Sequence, residues 1–291
     1  MIISVASGKG GTGKTTVAVN LALSIREKVQ FLDCDVEEPN AHIFLKPAIE
    51  EKRQVFIPVP EIDELKCTYC GKCREVCAYG AVAVIKSVDS GKGSVLVFPN
   101  LCHGCGSCSY FCPQQAIKEV NKEVGEIEAG YVQPAFPNAD VRFVHGRLNI
   151  GEAMAPPVIR EVKKYVVRDR ITIIDAPPGT SCPVITSIKD SDFCLLVTEP
   201  TPFGLNDLLL AVEVVRKLSL PFGVVINRSD LGDDKTETYC QKEDIPVIMR
   251  IPFQKEIAVA YSHGKTIIEA VPSYQVKFQE LYRGIAEGNF S

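Results

Sequence analysis

The sequence predicts an α/β protein, a mostly parallel sheet flanked by helices, with a smaller α+β module inserted into it. Three observations carry this expectation. Short apolar runs alternate with helix-length stretches through most of the 291 residues, the pattern of parallel strands joined by crossover helices. A glycine-rich turn, GKGGTGKT from Gly8 to Thr15, joins the first apolar run to the first helical one. From about residue 59 to about residue 119 the texture changes to cysteines, glycines and short polar turns, and the alternation then resumes.

Taken in order, IISVAS reads as a strand and TTVAVNLALSI as a helix, because its apolar residues recur at helical spacing. VQFLDCD is a second strand. The stretch HGRLNIGEAMAPPVIREVKKY reads as a loop followed by a helix. ITIIDAP, FCLLVTEP, PFGVVIN and PVIMRIPF are further strands, and NDLLLAVEVVRKL is a helix between two of them. The expected division is a larger domain of residues 1–58 and 120–291 with residues 59–119 looped out of it.

Composition narrows the function. Hydrophobic residues make up 46% and charged residues 23%, with a net charge of -4. A mildly acidic chain offers no attraction to nucleic acid or to an anionic membrane, so neither is expected as a partner. MIISVAS is too short and uncharged for a signal peptide, and no apolar run approaches the roughly 18 residues of a membrane span. The expected location is the cytoplasm. Twelve cysteines in a reducing compartment point to metal or redox chemistry rather than disulfides.

Gly8–Thr15 fits the phosphate-loop pattern G-x-x-x-x-G-K-[ST] and lies between a strand and a helix, the context that motif requires. Backbone N–H groups of Gly8, Lys9, Gly10, Gly11, Thr12 and Gly13 can turn toward phosphate oxygens, and the helix beginning near Thr16 points its positive end at them. Lys14 is placed to neutralise the outer phosphates, and the Thr15 hydroxyl to hold Mg2+. Asp175 closes ITIID and provides a second ligand on the Mg2+ side. Asp33 and Asp35 alternate at the end of the second strand. One orients water and the other the metal; we assign Asp35 to the water and Asp33 to Mg2+.

Lys9 has no role in an ordinary phosphate loop. KGGTGKTT, LDCDVEEPN and DAPPGT together resemble the deviant phosphate-loop ATPases that include MinD, ParA and the nitrogenase iron protein. The resemblance implies a P-loop NTPase fold and ATP as ligand. It also implies an ATP-sandwich dimer, formed with a second copy or with a paralogue, in which Lys9 reaches the nucleotide of the facing subunit. It further implies that Asn227, after VVIN, reads adenine and that backbone near Pro252 and Phe253 lines the base. Cys182 lies seven residues beyond Asp175, where the nitrogenase iron protein places a cluster ligand. No second cysteine matches that family's other ligand, so Cys182 is expected to be a buried or interface thiol.

Inside the inserted segment CTYCGKCREVC (67–77) recurs as CHGCGSCSYFC (102–112), every cysteine having its counterpart 35 residues on. Each run reads C-x2-C-x2-C-x3-C and resembles the two-cluster bacterial ferredoxin. One tight loop can present three thiolates to a cubane, but its fourth cysteine cannot fold back and must serve the other repeat. Crossed ligation is therefore expected: Cys67, Cys70, Cys73 and Cys112 on one [4Fe-4S] cluster, Cys102, Cys105, Cys108 and Cys77 on the other. Zinc is the competing metal, because paired C-x2-C motifs make tetrahedral sites. It leaves two identical sets of four unexplained. Pro113 follows Cys112 as in ferredoxins, whereas Ala78 follows Cys77.

These features predict an ATP-hydrolysing iron-sulfur protein in which a nucleotide-driven dimer cycle gates electron transfer to a redox partner. A second reading is a cluster carrier that serves apo iron-sulfur proteins. Related carriers hold a labile cluster on a C-terminal C-x-x-C pair, and none follows Cys112 here. The third reading, a positioning ATPase, needs a basic amphipathic tail or a DNA-binding face; the tail YQVKFQELYRGIAEGNFS balances Lys277 and Arg283 with Glu280 and Glu287.

Overall fold

The computed structural model describes residues 1–86, 93–132 and 140–289. The chain divides into two compact units, one of residues 1–53, 127–147 and 158–291, the other of residues 54–126 and 148–157. In chain order the first elements are β1 (Ile2–Ala6), α1 (Lys14–Ser24), β2 (Val29–Asp33), α2 (Ala41–Leu45) and β3 (Pro47–Ile62). Next come α3 (Lys72–Glu75), β4 (Val82–Lys86), β5 (Gly93–Val97), a 3-10 turn (Pro99–Leu101), α4 (Ser107–Tyr110), β6 (Ile117–Val132) and β7 (Val141–Leu148). The remainder alternates as α5 (Pro156–Lys163), β8 (Ile171–Asp175), α6 (Cys182–Ile188), β9 (Phe193–Thr198), α7 (Pro202–Lys217), β10 (Phe222–Asn227), α8 (Lys235–Lys242) and β11 (Val247–Ile251). It closes with α9 (Lys255–Ser262), α10 (Ile267–Ala270) and α11 (Tyr274–Glu287).

Among the described residues the main sheet has the order β11-β10-β9-β1-β8-β2-β7-β6-β3, and the pairs from β11 through β7 are parallel. Because side chains alternate along a strand, each central strand supplies both faces. In β9, Leu195 and Val197 join Val5, Phe31 and Phe143 in one core, whereas Cys194 and Leu196 join Val224 and Ile226 in another. The first core packs beneath residues of α1, α10 and α11, and the second beneath α6, α7 and α8. Helices on both faces of a mostly parallel sheet are what the alternation predicted.

Three stretches differ from the sequence reading. His145 to Leu148, read as loop, belongs to β7, which pairs with β2 from Val29↔Val141 to Asp33↔His145. Fully buried Phe143 and Val144 hold it there. Residues 47–62 and 117–132 form two sixteen-residue strands at one edge of the sheet. Their first or outer halves are largely exposed and charged, as in EEKR, so apolar alternation is hidden.

In the second unit β4 and β5 form an antiparallel pair from Val82↔Val97 to Lys86↔Gly93. The cysteine repeat is reproduced in the backbone. Left-handed φ values occur at Tyr69 and Gly104, at Gly71 and Gly106, and at Gly80 and Gln115, each pair with the same offset as the cysteines. Gly71 and Gly106 are the N-caps of the short helices α3 and α4.

Candidate functional site

The nucleotide site lies where parallel strands end together. Val5 is the register partner of Asp175, and Asp175 of Asp33, so the phosphate loop leaves β1 beside two carboxylates. Left-handed Gly13 (φ 89°) caps α1 and turns the chain into the helix. Lys14 Nζ lies 2.7 Å from Asp175 Oδ1 and 3.8 Å from Asp35 Oδ2, and both it and Asp175 are buried. Burial alone disfavours the Lys14 charge, but Asp175 and Asp35 outweigh it and the ammonium is held above its ordinary pKa.

Asp33 is fully buried and accepts hydrogen bonds from the Asp35 and Ala41 N–H groups, both at 3.1 Å. Burial, then the neighbouring Asp175 charge, raise its pKa to about 8, against the opposing pull of Lys14 and the Ala41 N–H. Asp35 is raised to about 6, by burial first, with Lys14 opposing and Asp175, Glu37 and Glu38 adding to it. Asp175 Oδ2 is buried without a hydrogen-bond partner. An orphaned carboxylate oxygen beside a second buried carboxylate is a donor set that suits a small hard cation such as Mg2+. Thr15, also buried, faces the same cavity.

That cavity encloses about 460 Å³. Lys9, Gly10, Gly11, Gly13, Lys14, Thr15, Thr16, Asp35, Asn227 and Pro252 all line it, so most residues singled out from sequence converge there. Gly8 and Thr12 stand behind the wall. A Cβ on Gly8 would lie 2.1 Å from the Asp207 carbonyl oxygen, and Thr12 offers its carbonyl to Asn227 Nδ2 at 2.9 Å. Asn227 thus braces the loop, while its Oδ1 accepts from the Arg228 N–H at 3.0 Å. Phe253, Ile257 and Tyr261 give the cavity an apolar side suited to a base.

Four residues at or near the site were not singled out from the sequence. Arg228 lines the cavity and is held by Glu199 at 2.8 Å; a left-handed φ of 50° carries no sequence mark in arginine. Glu38 and Asn40 also line the cavity; the acidic LDCDVEEPN run was the available signal. His145, the register partner of Asp33, is buried with Nε2 2.8 Å from Glu128 Oε2. It escaped because its segment was read as a loop.

The second unit contains two cysteine-lined cavities. Cys67, Cys70, Cys73 and Cys112 line one, and Cys77, Cys102, Cys105 and Cys108 line the other. Each takes three cysteines from one repeat and the fourth from the other. Backbone N–H groups face sulfur in matching positions: Ala81 donates to Cys77 Sγ and Ala116 to Cys112 Sγ, both at 3.3 Å, and Tyr69 donates to Cys67 Sγ at 3.4 Å. Four thiols with N–H donors around a space are a donor set that suits a thiolate-ligated cluster. Among the described residues no three His, Cys, Asp or Glu side chains converge as for a single metal ion. Cys182 is exposed at the first residue of α6, and Cys34, Cys194 and Cys240 are buried.

Residues 3–267 match the CobQ/CobB/MinD/ParA nucleotide binding domain family. The chain belongs to this family. It is 34% identical over 281 residues to an uncharacterized protein of Methanocaldococcus jannaschii, covering 92% of both chains. It is 24% identical over 299 residues to an iron-sulfur cluster carrier protein of Pyrococcus horikoshii, covering 96% of this chain and 83% of that one. Among solved structures it resembles the septum site-determining protein MinD of Pyrococcus horikoshii with Mg-ADP, at TM-score 0.57 and 19% identity over 98% and 95% of the two chains. The Pyrococcus furiosus cell division ATPase MinD superposes at TM-score 0.58 with 20% identity, each chain covered to 98%. These likenesses establish the MinD/ParA fold. No helix among the described residues is long and apolar enough to cross a membrane.

Proposed function

We propose that this member of the MinD/ParA family is an ATPase carrying two [4Fe-4S] clusters, in which a nucleotide-driven dimer cycle gates electron transfer to a redox partner. The observation that carries the reading is the sorting of eight cysteines into two cavities, each completed across the repeats, in a chain that also holds a phosphate-loop cavity. Lys14 is engaged by Asp175 and Asp35, so an incoming phosphate must exchange with those carboxylates. With Lys14 engaged by phosphate, Asp175, Asp33 and Thr15 would be the residues that hold Mg2+. When bound, Mg2+ supplies charge neutralisation at the transferring phosphoryl group. Asp35 orients the attacking water, Lys9 acts across the dimer, and Asn227 and Pro252 flank the base. When bound, the clusters supply one-electron storage, and Cys67, Cys70, Cys73, Cys112 and Cys77, Cys102, Cys105, Cys108 hold them. The dimer is formed with a second copy or a paralogue, in the cytoplasm.

The test is to measure cluster potential and the rate of partner reduction with ATP, with ADP and with no nucleotide. Differences between these states are expected; equal values in all three overturn gating. A second reading, a carrier that delivers clusters to apo iron-sulfur proteins, is supported by relatives bearing that description at 24% and 26% identity. Radiolabelled iron staying with the protein in the presence of apo-acceptors counts against it.

A further inference from the structure

The two cysteine cavities come from one repeat, yet they are not equal. Thr68 and Gln114 line the first. Their counterparts in the second are His103 and Tyr79, whose rings stack with centroids 3.5 Å apart and planes 9° from parallel. Burial of the cysteines follows this difference. Cys70 and Cys105 are both exposed, and Cys73, Cys108, Cys77 and Cys112 are all half-buried, but Cys67 is half-buried where Cys102 is buried. The first cavity has a ring of its own in Tyr69, but it is turned inward. A Cβ on Gly93 of β5 would lie 2.5 Å from that ring, so it forms part of the packing rather than a lid.

Charge divides the same way. Beside the first cavity an open depression is lined by Gly71, Arg74, Glu75, Val84 and Lys86. Glu75 is engaged by Lys72 at 3.0 Å, and neither Arg74 nor Lys86 forms an ion pair among the described residues. No charged residue lies between Cys102 and Ile117. The carboxylate lining the second cavity, Glu119, accepts a hydrogen bond from Ser109 at 2.8 Å.

We infer that the Cys67, Cys70, Cys73 and Cys112 cavity is the exchange port, where a partner protein with an acidic docking face reaches a cluster, and that the Tyr79–His103 stack retains the other. The inference rests on the two-cluster reading above. An aromatic stack at the mouth limits solvent access to a metal group, and cations with no ion pair among the described residues, beside a cavity that lacks such a stack, attract an anionic surface.

The full chain, reconstituted anaerobically to about eight irons, is challenged with the anionic ferrous chelator bathophenanthroline disulfonate in the presence of excess dithionite, which reduces the ferric half of each cluster as iron leaves. Iron is expected to leave in two equal phases, the faster by about tenfold or more, and the fast phase should slow as salt shortens the reach of Arg74 and Lys86. The double variant Tyr79→Gln, His103→Thr should bring the slow phase up to the fast one. The reciprocal Thr68→His, Gln114→Tyr should slow the fast phase, so a folding defect in either variant leaves the other decisive. Arg74→Gln with Lys86→Gln should slow release to the anionic chelator but not to neutral 2,2′-bipyridine. A single phase from eight-iron protein overturns the inference, as does acceleration of the fast phase alone by the Tyr79 and His103 changes. Protein that takes up zinc instead of iron overturns the two-cluster reading itself, and the inference with it.

Discussion

A Cβ added to Gly13 of the phosphate loop would lie 2.4 Å from Asn227 Nδ2, whereas one added to Gly71 of the first cysteine loop would meet nothing within 4 Å. Both glycines have left-handed φ, 89° and 86°, and both cap a helix. The phosphate loop is shaped by groups from far along the chain, such as Asn227, Asp207 and Asp175, brought to it by the sheet. The turn at Gly71 is shaped instead by its own backbone hand and by hydrogen bonds within its repeat, the Arg74 and Glu75 N–H groups donating to its carbonyl. One site is therefore sensitive to distant side chains, and the other to local conformation.

The largest test of this contrast removes a charge from each loop. Lys14→Ala leaves Asp175 and Asp35 without their buried counter-charge. A loss of about 3 kcal/mol in urea unfolding is expected, together with roughly a hundredfold weaker nucleotide binding by titration. Lys72→Ala removes a lysine that is 41% exposed and, among the described residues, paired with Glu75 alone; its expected cost is below about 0.5 kcal/mol. Similar costs for the two variants would break the comparison.

Adding a methyl group probes shape rather than charge. Gly8→Ala drives a Cβ to 2.1 Å from a main-chain carbonyl, and about 2 kcal/mol is expected as the backbone shifts. Gly71→Ala meets no atom and suffers only the left-handed penalty, about 1 kcal/mol. Denaturant midpoints of the two variants check the order.

The same contrast explains what the sequence made legible. The phosphate loop, Asp33, Asp175 and the two cysteine sets were readable because each is a short run whose spacing carries its chemistry. Strands β8 to β10 were readable because their apolar runs are buried on both faces. The bracing of the loop by Asn227 and the packing of Gly8 against Asp207 were not, since each depends on which strands become neighbours. Residues 145–148 were misread because Gly146 and Arg147 interrupt the apolar alternation; packing supplies the reason the chain is extended there. A Cβ on Gly146 would collide with Val158, Val162 and Val36 at 2.7 to 2.8 Å, so glycine marks close approach to a helix rather than a turn.

A pH series sharpens the electrostatic side. Asp33 keeps its proton in the folded protein up to about pH 8 and Asp35 up to about 6, whereas an unfolded chain releases such protons near pH 4. Between those limits the folded state binds more protons, so stability falls as pH rises, up to about 6 from Asp35 and to about 8 from Asp33. In cation-free, nucleotide-free protein the melting temperature should therefore decline from pH 5 to pH 8 more steeply in the wild type than in Asp33→Asn. Saturating Mg2+ and nucleotide should flatten the wild-type slope, because a cation favours the ionised carboxylates. A variant with the wild-type slope would remove Asp33 as its source.

The smallest effect tests the local side of the comparison, and it runs toward greater stability. Gln115 occupies the place in the second repeat that Gly80 occupies in the first, and both are left-handed, at φ 46° and 65°. The two also make equivalent turn hydrogen bonds, Gln115 N–H to the Cys112 carbonyl and Gly80 N–H to the Cys77 carbonyl. A side chain at that φ costs roughly 1–2 kcal/mol, and glycine gives back about 0.5–1 kcal/mol through the greater freedom of its unfolded chain. Gln115 is exposed, so its removal sacrifices little packing. Gln115→Gly should stabilise the protein by about 0.5 kcal/mol and Gly80→Gln should destabilise it by a similar amount, read from denaturant midpoints. If both substitutions destabilised, side-chain contacts rather than backbone hand would be setting the cysteine loops, and the distinction from the phosphate loop would disappear.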